Sequence, residues 1–272
     1  MQAFDASPRG LILSLWRYRE LILALVQREV IGRYRGSALG IFWSLVHPML
    51  MLAVYTFVFS VVFEAKWGSG SDSKAEFALV LFAGLIVFNF FAECVNRSPG
   101  LMLANVNYVK KVVFPLEILV WVILGSALFH SVMSLLVWLL FYLLLFGLPQ
   151  PSFLLLPFTF LPLLLLTSGF SWFLAALGVF LRDMSQITTI FTTILMFLSP
   201  IFYPVSALPL EVRPVLLLNP IAPALEQVRG ALIWGEVPDL KIWTIYLCST
   251  ALAAWLGFAW FQISRKGFAD VI

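Results

Sequence analysis

Residues 39–63 contain no Asp, Glu, Lys or Arg, and the residues leading into them include Arg28, Arg33 and Arg35. An α-helix rises about 1.5 Å per residue, so a run of ~20 apolar residues crosses a hydrocarbon core of ~30 Å. Basic residues beside such a run mark its cytosolic side. This stretch therefore demands a membrane and sets an orientation. The rest of the chain agrees: 62% of its residues are hydrophobic and only 11% charged, against roughly 25% charged in a soluble domain. The expected fold class is all-α and integral to the membrane.

Six spans are expected, over 39–63, 77–95, 116–146, 153–181, 187–203 and 242–263. With the N-terminus inside, the loops outside hold Lys66, Lys74, Arg213, Arg229 and Lys241, and the other twelve of the 17 basic residues lie inside. That asymmetry favours six spans with both ends in the cytosol. Residues 1–36 are expected to form a cytosolic tail and an interface helix, and 37–272 the transmembrane domain. No small-residue cleavage site follows the short apolar run 11–15, so no signal peptide is expected and the first span inserts itself.

From Leu11 to Arg35 the pattern is amphipathic. Arg17, Glu20, Gln27, Arg28 and Arg35 share one face; Leu15, Tyr18, Ile22, Leu25 and Val26 lie largely on the other. Such a helix lies in the membrane interface. The stretch 204–241 holds six prolines yet stays fairly apolar, which permits only short helices. Two half-helices, near 209–218 and 222–234, are expected to dip back toward the membrane before the last span. Irregular backbone at that depth needs protein or a water-filled cavity beside it, so this element should cover something.

The chemistry of many enzymes is missing from the sequence. There is no GxxxxGK[ST] phosphate loop, no HExxH, no GxSxG and no Cys/His cluster, so neither nucleotide binding by that device nor a metal site is expected. His47 and His130 lie in different spans, and a lone membrane histidine reads as a packing residue. Glu93 and Glu117 fall at the cytosolic ends of spans two and three, within reach of water. A proton-coupled carrier buries ionisable groups near mid-membrane, and that reading is disfavoured. Aromatic residues make up 16% of the chain. Tyr55, Phe59, Phe191 and Phe202 are candidates for a ring-lined path along which a long sugar chain slides on its C–H faces.

The stretch Arg28–Pro48, with Arg33-Tyr34-Arg35-Gly36-Ser37 at its centre, and the following Val54-Tyr55-Thr56-Phe57-Val58-Phe59-Ser60 resemble the start of the ABC-2 type permeases of bacterial polysaccharide exporters, the O-antigen branch above all. Asn105, Tyr108, Lys110 and Lys111 match the family's first cytosolic coupling loop, and Arg182-Asp183 its second. Ser199-Pro200, Phe202-Tyr203-Pro204, Pro209, Asn219-Pro220, Glu226 and Arg229 look like the fifth span and the external gate. The resemblance implies a second copy of the chain, two ATP-binding subunits carrying ATP and Mg, an undecaprenyl-linked polysaccharide as cargo, contact with membrane lipid and no nucleic acid. It implies no cofactor in this chain and no enzyme activity of its own.

Two other readings of the residues stay open at this stage. An ABC-2 exporter of small amphiphiles would share the fold. A membrane enzyme acting on lipid-linked sugars would need clustered acids and bases on one membrane face, for which Glu211, Arg213, Glu226 and Arg229 are the external candidates.

Overall fold

A computed structural model of the chain describes residues 5–58, 67, 74–110, 114–209, 211, 213 and 219–272. The described residues form helices and connecting turns, and the chain is a multi-pass membrane protein. Among the described residues, five helical stretches are long and apolar enough to cross a bilayer: Gly40–Val58, Ala75–Arg97, Ile118–Phe146, Pro151–Phe180 and Leu240–Val271. These correspond to five of the six expected spans.

The N-terminal region is two helices, α1 (Pro8–Arg17) and α2 (Arg19–Tyr34), where a single amphipathic helix was expected. Ser7 caps α1 through its hydroxyl, which accepts from the Gly10 N–H at 3.0 Å, and Pro8 sits at the first helical position. The helix breaks at Tyr18, whose backbone leaves the helical region at φ −105° and ψ 15°. The residue before the cap, Ala6, is held by the Trp255 indole, which donates to its carbonyl at 3.0 Å. The α2 helix buries Ile22, Leu25 and Val30 against α7 (Ile118–Phe146). Gly125 of α7 admits the Val26 side chain; a Cβ there would lie 2.6 Å from Val26 Cγ2. Ile22, Leu25 and Val26 of the expected apolar face therefore pack on protein, while Leu15 of that face is exposed.

Helix α3 (Trp43–Tyr55) contains a buried Pro48. Helix α4 (Lys74–Arg97) is the hub of the bundle, touching α3, α7, α8 (Leu156–Phe180) and α9 (Met184–Leu198). Every residue from 77 to 91 is buried except Asn89. The Trp138 indole ties α7 to α4 by donating to the Leu79 carbonyl at 3.0 Å. Helix α8 crosses α11 (Leu240–Ser264) where Gly169 and Gly257 meet backbone to backbone. Small residues permit that close approach in membrane bundles. The short helices α5 (Leu101–Ala104) and α6 (Val106–Lys110) connect α4 to α7, α10 (Ala222–Arg229) lies between α9 and α11, and α12 (Phe268–Val271) is the last helix.

The fifth expected span differs in its bounds. Helix α9 has 15 residues, about 22 Å at the standard rise, and stops at Leu198. The expected range ran to Tyr203. Pro200 is the cause: it pushes the preceding residue out of the helical region, and Ser199 is extended, with ψ 147°. Of the two expected half-helices, 222–234 is present as α10 followed by a wider π-turn over Gly230–Trp234. Most of 209–218 lies outside the described residues.

Candidate functional site

Three segments meet at the end of the bundle where α4 hands over to α7. The turn at Pro99 presses on α8, and a side chain at Gly178 would strike the Pro99 carbonyl. Asn105 ends α5, its amide donating to the Leu101 carbonyl at 2.9 Å. Tyr108 stacks on Phe114 at 4.3 Å between centroids, and its hydroxyl accepts from Arg28 of α2 at 3.3 Å. The C-terminal segment clamps the same loop: Arg265 donates to the Phe114 carbonyl at 2.6 Å and pairs with Glu117 at 2.7 Å. Both side chains of that pair are nearly buried, so Glu117 is not the water-reached acid expected from sequence. Asn105, Tyr108 and Lys110 thus lie in one short segment, with the Tyr108 side chain turned inward onto Phe114 and Arg28. Lys110 is exposed, as are Arg182 and Asp183 in the turn between α8 and α9. Lys111 lies outside the described residues.

At the other end, the expected gate residues separate into two groups. Pro209 and Glu226 are exposed. The Glu226 side chain keeps 48% of its surface open, and burial of the remainder raises its carboxyl above the ordinary value, with Arg229 opposing the shift. Asn219 is buried: its amide donates to the Ser199 hydroxyl at 2.8 Å, and its oxygen accepts from the Ile221 N–H at 3.0 Å. The neighbouring Pro220 carbonyl accepts from the Tyr246 hydroxyl at 2.7 Å. Arg229 is fully buried inside the bundle rather than at the outer surface. It donates to the Val80 carbonyl at 3.1 Å, to the Ile201 carbonyl at 2.8 Å and to the Pro200 carbonyl. Trp67 lies over its guanidinium at 4.5 Å. One cation thereby gathers carbonyls that the irregular 199–201 backbone leaves unbonded.

Between these ends, α2, α3, α4 and α7 line an open-sided cavity of about 490 Å³, with Arg33, Tyr34, Trp43, His47, Tyr55, Asn89, Glu93, Asn96 and His130 among its walls. Glu93 is the centre of its charge cluster. Its carboxylate takes Arg33 Nη1 at 2.6 Å, Arg97 Nη1 at 3.4 Å and His130 Nδ1 at 3.2 Å. Arg97 also pairs with Glu29 of α2. Ionisable groups inside a membrane protein persist when paired this way. His130 is thus not a lone packing residue, and Glu93 is a networked acid rather than a free one.

Sequence reasoning missed this cluster, although one signal for it was present. Asn89, Glu93 and Asn96 stand at i, i+4 and i+7 of one apolar helix, and so share a face. The partnership with His130 and Arg33 joins positions 37 and 60 residues away and leaves no periodic trace. Of the four residues expected to line a path, Tyr55 faces the cavity. Phe191 is exposed on α9. Phe202 is half-buried, with its ring 6.0 Å from that of Phe197. Phe59 lies outside the described residues.

Known proteins resemble this chain over most of its length. It is 28% identical over 264 residues to the O-antigen export system permease protein RfbA of Myxococcus xanthus, covering 96% of this chain and 99% of that protein. The RfbA of Klebsiella pneumoniae is 23% identical over 255 residues, 93% of this chain and 95% of its own. The polysialic acid transport protein KpsM of Escherichia coli is 25% identical over 250 residues, 89% of this chain and 93% of its own. The signature described as ABC-2 type transporter matches residues 20–233. A chain matched over that range, folded as a bundle of apolar spanning helices, belongs to the ABC-2 type transporter family.

Proposed function

We propose that the chain is the permease subunit of an exporter that carries a lipid-linked polysaccharide, O-antigen foremost, out across the bacterial inner membrane. The observation that carries this reading is the near full-length similarity to permeases named for O-antigen export and polysialic acid transport. Two copies form the conduit. Each docks one separate ATP-binding subunit, which holds the ATP and Mg, so this chain supplies no chemistry of its own.

The geometry supports this division of labour. The segment holding Asn105, Tyr108 and Lys110, with the Arg182–Asp183 turn, receives the motion of the ATP-binding subunit. Tyr108 passes it to α2 through Arg28, and the Arg265–Glu117 clamp passes it to the start of α7 and the end of α11. Helix α9 presents Ile187, Ile190, Phe191, Ile194 and Phe197 to the outside of the single chain, a row suited to a second copy and to the path between the copies. The segment after α9, pinned by Arg229 and Asn219, closes the outer mouth.

Deletion of the gene tests the reading. Surface polysaccharide should disappear while its lipid-linked precursor accumulates inside. Unchanged surface polysaccharide, with new sensitivity to amphiphilic drugs, would contradict it and favour export of small amphiphiles.

A further inference from the structure

We infer that the cavity between α2, α3, α4 and α7 is a saccharide-binding site. The inference rests on the exporter reading and deepens it by assigning the residues that hold the sugar.

Sugar hydroxyls are held by closely spaced donors and acceptors, and sugar C–H faces by flat apolar rings. The cavity offers both. On its polar side, Asn89, Glu93 and Asn96 line one face of α4. Asn89 is the sole exposed residue between 77 and 91, and its amide has no hydrogen-bond partner among the described residues. An amide is costly to place in an apolar span without partners, and here it opens onto a cavity. Glu93 is an acceptor already fixed in direction by Arg33 and His130. Arg33 contributes only its Nη1 to these bonds, and a guanidinium carries five N–H donors, so a hydroxyl can bridge Arg33 and Glu93. On its apolar side, Trp43, Tyr55 and Phe82 line the same space. The volume of about 490 Å³ falls within the roughly 300–1,000 Å³ of small-ligand sites.

The charge pattern selects the ligand class. A pyrophosphate would need uncompensated cations. The arginine here already stands 2.6 Å from a carboxylate, and that carboxylate faces the same space and repels an anion. A neutral polyhydroxylated ring meets no such opposition.

The test uses the full-length chain in lipid nanodiscs and titration calorimetry. The probe is surface polysaccharide from the source strain, freed of lipid by mild acid and shortened to oligosaccharides. Wild type should bind it. Asn89→Leu and Tyr55→Ala should each weaken binding by roughly three- to tenfold, the scale of one lost hydrogen bond or ring contact. Neither change should alter thermal melting, which separates a lost contact from a lost fold. Inorganic pyrophosphate should neither bind the cavity nor displace the oligosaccharide. Equal oligosaccharide affinity in wild type and both variants would overturn the site, and so would displacement by pyrophosphate. Absence of oligosaccharide binding, while the wild-type complex still exports the same glycan, would overturn the site and leave the exporter reading standing. Absence of export would count against that reading itself.

Discussion

The guanidinium of Arg229 occupies the space that a side chain on Gly84 would need: a Cβ there would collide with Nη2 and lie 3.0 Å from Cζ. The two positions, one in α4 and one at the end of α10, form a lock between the outer segment and the hub helix. Adding a methyl group at Gly84 displaces the cation from the Val80, Pro200 and Ile201 carbonyls. Gly84→Ala should lower the melting temperature of the purified protein by an amount matching roughly 1–3 kcal/mol. Arg229→Met, which removes the donor from the Pro200 and Ile201 carbonyls, should cost at least as much. Melting in detergent, followed by intrinsic fluorescence, checks both.

A second prediction concerns Glu117 and Arg265. Their ion pair is 2.7 Å long and largely shielded from water. Removing one partner from such a pair costs about 3–5 kcal/mol, because the other charge stays buried without its counter-charge. Glu117→Met and Arg265→Met should each destabilise strongly, and the double variant should be more stable than either. The same melting experiment reads this; double-variant stability below both singles would contradict it.

The seat of α2 on α7 gives a third. Gly125→Leu should push Val26 outward and loosen α2, and Val26→Ala in the same chain should restore part of the contact. Hydrogen–deuterium exchange should show faster exchange in 19–34 for the single variant and partial recovery for the double. Unchanged exchange would mean that α2 is not held at Gly125.

The proposed path makes a fourth. Phe191 is exposed in the single chain and Tyr55 is half-buried, so replacing either with Ala should leave folding intact. In a host lacking its own copy, each variant should export less polysaccharide than wild type, and the pair less still. Normal export by the double variant, at normal protein level, would remove the rings from the path.

How much of this was legible in the sequence depends on the range of the forces. The spans announce themselves because charge-free runs are local, and five of the six expected ranges correspond to long apolar helices. The end of α9 was also legible in principle, since Pro200 dictates the conformation of Ser199. The stripe Asn89, Glu93, Asn96 needed only a helical period. Arg229 was different. Its polarity and the surrounding prolines suggested an external position, yet its partners are backbone carbonyls 28, 29 and 149 residues away. Backbone acceptors carry no side-chain signature, so no spacing could reveal them.

The central claim is that this chain is a conduit driven by a separate nucleotide-hydrolysing subunit. The most direct measurement is glycan translocation into sealed vesicles holding the purified chain, with and without its ATP-binding partner. The account predicts translocation only when partner, ATP and Mg are all present. Glycan moved by the chain alone would contradict it.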